Sequence, residues 1–289
     1  SYLQKKPGYY FSEDQFVVDM QNALGMEPGC RHPLTYIMEA ADDISYCLAD
    51  LEDSVDKGIM TFEAMADALI SAFAELRQDD HQHSHFRVFG KDRSFVDLVE
   101  GALKRARSEP INADHEFFVW LRVNLIHPLV NHAASTFTGN MHDIFHGRLN
   151  RALLEDHSPF HSVIETLKRV AVERVFSVPE VETLELQGYR IISGLLEHYR
   201  PLLMLSAAEF DRLVAGNRKG LLVESRLFKR LPDKHVKAYL TLRKECPEGA
   251  SDELWERYAR CRLLQDMVSG MTDQFALDEF RTLSVMEPL

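Results

Sequence analysis

The chain has 289 residues, of which 45% are hydrophobic and 27% charged, with a formal net charge of −12. That length buries a substantial core, and the balance is that of an ordinary globular protein rather than a disordered or fibrous one. The acidic surface argues against bulk, non-specific nucleic-acid binding, although it leaves room for a local basic patch.

Helical periodicity runs through almost the whole chain. Leu34, Ile37, Met38, Ala41, Ile44, Leu48, Leu51 and Val55 recur at three- and four-residue spacing, which predicts a first long helix with Ile37, Ala41, Ile44, Leu48 and Leu51 as its apolar stripe. Pro33 punctuates its start and Gly58 its end. A second helix is predicted after Thr61, with Phe62, Met65, Leu69, Phe73 and Leu76 on one stripe. Further helices are predicted over about 94–107, 114–137 and 160–175. Another begins at Pro179 and extends toward Tyr199, where Pro201 should end or kink it. The last is predicted as one helix over about 252–284. Loops are expected at 78–93, 107–113 and 214–222, and no sustained strand alternation is seen. The expected fold class is therefore all-α, a multi-helix globule rather than a four-helix bundle.

Several features exclude other classes. Cys30, Cys47, Cys246 and Cys261 form no C-x-x-C pair and no zinc spacing, so reduced thiols are expected. The most apolar stretch, 191–205, is broken by Glu197, His198, Arg200 and Pro201, too polar to span a bilayer. With no apolar run at the N-terminus, a soluble, cytoplasmic protein without membrane association is expected. The His-rich run 81–85 reads as a solvated loop. No Gly-rich phosphate loop and no nucleophile elbow is present. Between Arg226 and Lys244 lie seven basic residues, a local excess that suits either a solvated helix face or a phosphate backbone.

The most informative stretch is 34–53. Asp42, Tyr46 and Asp50 are spaced by four, which places a carboxylate, a phenol and a second carboxylate on one helical face. An Asp is a good ligand for a divalent cation, and a Tyr and an Asp on successive turns suit a polar ligand beside it. A solvated acidic flank accounts for the same spacing, and a single Asp cannot fix a metal.

The phrase Pro33-Leu34-Thr35-Tyr36-Ile37-Met38-Glu39-Ala40-Ala41-Asp42-Asp43-Ile44 closely resembles the last metal-ligand helix of the dGTPase family of HD-domain phosphohydrolases. Lys5-Lys6-Pro7-Gly8-Tyr9-Tyr10, Leu184-Glu185-Leu186-Gln187-Gly188-Tyr189-Arg190, Glu224-Ser225-Arg226-Leu227-Phe228 and the stretch 260–273 resemble the same family, in order along the chain. The resemblance is to the family's C-terminal portion. It implies an HD-type fold in which residues 1–60 end the catalytic core and 61–289 form a helical region serving the base pocket and oligomer contacts. It implies a divalent cofactor, Mg2+ or Mn2+, with Asp42 as its final ligand. Lys6 is implied to contact the triphosphate, Tyr46 the substrate beside the phosphates, and Asp50 the sugar 3′-hydroxyl. Phe176, Glu185 and Arg218 fall where the family holds guanine, and Arg226 near where relatives bind single-stranded DNA. A ring-like homo-oligomer, a hexamer, is also implied.

One departure is large. The family's His and His-Asp metal ligands should precede Lys6, and none is present in these residues. His142-Asp143 follows Asp42 instead and reads as chance. The expectation is that the chain alone is inactive and that the complete enzyme converts dGTP and water to deoxyguanosine and triphosphate. The rivals are a broader dNTP preference, a non-enzymatic helical interaction module, and a single-stranded-DNA-binding module.

Overall fold

The computed structural model describes residues 2–4, 8–27, 29–76, 85–88 and 91–285. Among them are thirteen α-helices: α1 (Asp14–Ala23), α2 (Pro33–Asp56), α3 (Phe62–Leu76), α4 (Phe95–Ser108), α5 (Ala113–Gly139), α6 (Met141–Phe145), α7 (Pro159–Val170), α8 (Pro179–Met204), α9 (Ala207–Val214), α10 (Leu222–Phe228), α11 (Asp233–Lys244), α12 (Asp252–Ser269) and α13 (Asp273–Leu283). The expected all-α class is what is found. The strands described are a short antiparallel hairpin, β1 (His85–Val88) and β2 (Lys91–Ser94), with His85 opposite Ser94 and Val88 opposite Lys91. This hairpin replaces the end of the loop expected over 78–93. Residues 81–84 of the His-rich run lie outside the described residues.

The chain divides into two compact units, residues 1–182 and 183–289. In the first unit α2 packs on α5, α4 packs on α5 and α3, and α3 packs on α7. Its core is built from fully buried residues such as Tyr36, Leu51, Met65, Phe95, Phe117 and Leu121. Helix α2 starts and stops where its punctuation predicts. Pro33 is its first residue, the His32 side chain accepts from the Leu34 amide at 3.3 Å, and Gly58 turns the chain out at φ 72°.

The buried stripe of α2 is rotated from the expected one. Tyr36, Ala40, Ile44, Cys47, Leu48, Leu51 and Val55 face inward, whereas Ile37 is 45% exposed and Ala41 is exposed. The rotation follows from Tyr36, whose ring is larger than the side chains it displaces. Once buried, its hydroxyl finds a partner in the Leu149 carbonyl at 2.6 Å. Ile37, Ala41 and Ile44 instead border an apolar groove with Val130, Phe137 and Leu153.

The second unit has its own core around Tyr199, Leu202, Phe210, Leu213, Tyr239, Leu263 and Met267. Buried charge is matched inside it. Arg260 donates to Glu256 at 2.5 Å and to the Leu202 and Leu205 carbonyls at 2.9 and 2.6 Å, and Tyr239 donates to the other Glu256 oxygen at 2.9 Å.

Helix ends depart from expectation in two places. Helix α8 continues through Pro201 to Met204, so of the two outcomes expected of that proline, ending the helix is not the one found; the proline forfeits one amide bond, and Leu202 just beyond it is fully buried. The predicted last helix is two, broken at Gly270–Thr272, where the Thr272 side chain caps α13 by accepting from the Phe275 amide. The helix predicted over 160–175 narrows to α7, followed by a π-helical turn over Ala171–Phe176.

Candidate active site

The polar face of α2 is set by its spacing. At about 100° per residue, Thr35, Glu39, Asp42, Asp43, Tyr46 and Asp50 fall within an arc of roughly 100°. The arc borders the buried stripe, and Thr35, Glu39, Asp43 and Asp50 are half-buried there, while Asp42 and Tyr46 are exposed. Four of them, Thr35, Glu39, Asp42 and Asp43, line a cavity of about 360 Å³ together with Tyr2, Leu3, Arg31, Ala152, Glu155 and Lys168.

Two ion pairs stand in this cavity, Arg31 with Glu39 and Lys168 with Asp43, while among the described residues Glu155 accepts only from the Ala152 amide at 3.3 Å. Glu39 receives the Arg31 guanidinium at 2.5 Å and also the Tyr2 hydroxyl. Arg31 in turn lies 4.2 Å from the Tyr2 ring centroid and donates to the Tyr2 carbonyl at 3.2 Å. Burial, then the bond to Glu39, holds the Tyr2 phenol well above its ordinary range. Asp43 receives the Lys168 ammonium from α7 at 3.0 Å. Burial lowers the affinity of that ammonium for its proton, but the hydrogen bond and charge of Asp43 outweigh it, so Lys168 stays firmly cationic. Asp42 has no hydrogen bond or ion pair among the described residues and is exposed to the cavity mouth. It is a bare carboxylate between two neutralised ones, available to a ligand.

The other candidate residues divide. Tyr46 and Asp50 share the α2 face with Asp42 but do not line this cavity; Tyr46 is 61% exposed and Asp50 half-buried. Burial, then the neighbouring Asp53 charge, raises the Asp50 carboxyl above its usual range. Phe176 ends the π-helical turn and is 39% exposed. Glu185 is exposed on α8, Arg218 is exposed on the 215–221 turn, and Arg226 is exposed on α10, all in the second unit. Lys6 lies outside the described residues. His142-Asp143 does not belong to the cavity: Asp143 accepts from Arg148 at 3.1 Å, and His142 packs on the His146 ring.

Among the described residues, no group of three or more His, Cys, Asp or Glu side chains is disposed to hold a metal ion. The residues present therefore do not fit a divalent ion by themselves. Asp42 offers one carboxylate, and its acidic neighbours are engaged by cations.

Arg31, Asp43 and Lys168 escaped the sequence reading. Asp43 lay inside the most informative phrase but carried no sign of its partner, since Lys168 is 125 residues away.

No protein-family model matches the chain. Over 285 residues, 99% of its length, it is 52% identical to a Pseudomonas aeruginosa protein named "Probable deoxyguanosinetriphosphate triphosphohydrolase". The chain is related to the deoxyguanosinetriphosphate triphosphohydrolases. It spans 57% of that dGTPase relative's length. Among the described residues, no helix is long and apolar enough to cross a membrane.

Proposed function

We propose that this chain is part of a dGTPase that hydrolyses dGTP to deoxyguanosine and inorganic triphosphate. The observation that carries the reading is Asp42, a cavity carboxylate with no hydrogen bond or ion pair among the described residues, in a chain half identical to a protein of that name. In this reading Asp42 is one ligand of a divalent cation, Mg2+ or Mn2+, whose remaining ligands come from a part of the enzyme that these residues do not supply. The chain by itself is then inactive.

The chain's own side chains have narrower tasks. Tyr46 stands one turn beyond Asp42, where its hydroxyl can donate to a phosphate oxygen. Asp50, a turn further, can accept the hydrogen bond of the sugar 3′-hydroxyl. Lys6 supplies positive charge to the triphosphate. Phe176, Glu185 and Arg218 supply an aromatic face, an acceptor and a donor fork, the set that a guanine with N–H and C=O edges requires. The enzyme is proposed to be a cytoplasmic homo-oligomer, possessing the family's hexameric ring.

The test is Asp42→Ala in the complete enzyme, assayed for triphosphate release from dGTP. Loss of turnover by about a thousandfold or more is expected of a residue that orients the reacting centre. Near-normal release would remove the assignment. Competition among the four dNTPs separates a guanine-specific enzyme from one of broader preference.

A second reading, single-stranded DNA binding, is favoured by Arg226, Lys229, Lys234, Lys237 and Lys244, which are exposed and make no ion pair among the described residues. Arg226→Ala should then weaken binding and lower its salt dependence by about one contact.

A further inference from the structure

The segment 149–158, between α6 and α7, forms one wall of the cavity that holds Asp42, through Ala152 and Glu155. It is irregular and has no ladder of its own: Leu149, Leu153 and Leu154 bury its first half in the core, and side chains from the helices around it hold its backbone. Tyr36 of α2 holds its first carbonyl, Leu149, at 2.6 Å. His161 of α7 meets the Leu154 carbonyl at 3.0 Å. At its far end Asp156 is tied to α5 by His132, whose Nε2 lies 2.8 Å from the carboxylate.

His132, Asp156 and Ser158 look at first like a hydrolytic trio, and the geometry excludes it. A Ser-His-Asp triad splits the two imidazole nitrogens between nucleophile and carboxylate. Here both partners meet the same nitrogen, with Ser158 Oγ 3.1 Å from His132 Nε2. The Ser158 hydroxyl gives its proton to the other Asp156 oxygen, and its amide donates to that oxygen as well, at 3.1 Å. The serine also caps α7 by accepting from the His161 amide. The aspartate and serine are thus a local turn, and the imidazole is what joins that turn to α5. Phe160 stacks on the ring at 4.5 Å and sets its plane.

We propose that His132 is a latch: it holds the 149–158 segment against α5 and so positions the cavity wall beside Asp42. The latch is a property of the fold. Its consequence for substrate, as a positioning residue for dGTP, rests on the function proposed above. Removing the imidazole leaves the Asp156–Ser158 turn intact but cuts its tie to α5, while the buried leucines keep the first half of the segment in the core. The His132 side chain is 19% exposed and sits at the rim of the core, so its loss should open the segment without unfolding the helices.

The experiment compares the complete enzyme with His132→Ala and His132→Gln, the latter keeping an amide N–H near the position of Nε2. In His132→Ala, hydrogen exchange of amides 155–158 should speed up by about tenfold, as for the loss of one charge-assisted tie, while α2 amides keep their protection. His132→Gln should recover most of the protection. The KM for dGTP should rise several-fold in His132→Ala with kcat changed by less than about twofold, the pattern of a lost binding wall. Unchanged exchange in His132→Ala overturns the latch, as does acceleration shared equally by α2, α5 and α7, which would mean general destabilisation. Local acceleration with an unchanged KM overturns the positioning role alone. If the unmodified enzyme releases no triphosphate from dGTP, the proposed function fails, and the exchange comparison still decides the latch.

Discussion

Tyr36→Phe removes one hydroxyl and little else. The ring is fully buried on the inner face of α2, and its oxygen donates to the Leu149 carbonyl at 2.6 Å across 113 residues of sequence. The substitution keeps the packing of the ring, including its 5.5 Å contact with Tyr2, and leaves a buried carbonyl without its donor. An unsatisfied buried acceptor costs about 1–3 kcal/mol, since it lost its water on folding and regains nothing. For a unit the size of residues 1–182, a cost of about 2 kcal/mol lowers the melting temperature by roughly 4–8 °C. Differential scanning calorimetry reads this directly, and the loss should fall on the transition of the first unit. A midpoint within about 1 °C of the unmodified chain would refute the reasoning, because it would mean that water reaches the Leu149 carbonyl or that the bond contributes nothing.

Three other perturbations test separate parts of the account. Gly194→Ala places a methyl group against the Phe280 ring, which the glycine now allows to sit on the α8 backbone; overpacking of about 1–3 kcal/mol should appear as a lower melting temperature of the second unit. Asp156 is pushed upward by burial, but the hydrogen bonds from Ser158 and His132 outweigh it and hold its carboxyl below the ordinary range. A carboxyl depressed by folding stabilises above its unfolded value of about 4 and loses that contribution as pH falls through the lower folded value. The stability difference between the unmodified chain and Asp156→Asn should therefore be full at pH 7 and shrink below pH 4 in urea titrations; a gap that widens on acidification would contradict the assignment. Burial pushes the Cys47 thiol up to about 12, whereas Cys261 is exposed. At pH 8 a thiol reagent should modify Cys261 in the folded protein and reach Cys47 only after denaturation, and rapid modification of Cys47 would show that the α2 core opens.

Much of the helical order was legible in the chain because apolar spacing reports directly on a helix that buries one side. Helices α2, α3, α4 and α5 stand within a residue or two of their predicted bounds, and Pro33 and Gly58 mark the ends of α2 as their chemistry requires. Helices α1, α6, α9, α10 and α11 were not predicted as elements; α6, α9 and α10 are short and offer too little periodicity. Asp42, Tyr46 and Asp50 do share a face, because four-residue spacing admits no other outcome on a helix.

The sequence also determined the kinship, since phrases spread along the chain match one family, and relatedness needs no coordinates. What only the tertiary structure decided is which carboxylates are bare. Glu39, Asp42 and Asp43 are nearly equivalent in the sequence, yet Arg31 and Lys168 neutralise the outer two and leave Asp42 alone. The burial of Tyr36 instead of Ile37 likewise involves a distant segment, since the hydroxyl of the buried ring meets a carbonyl 113 residues away. Both outcomes depend on contacts between segments far apart in the chain, and a Coulomb or hydrogen-bond energy is a function of distance in space, for which separation along the sequence is no guide.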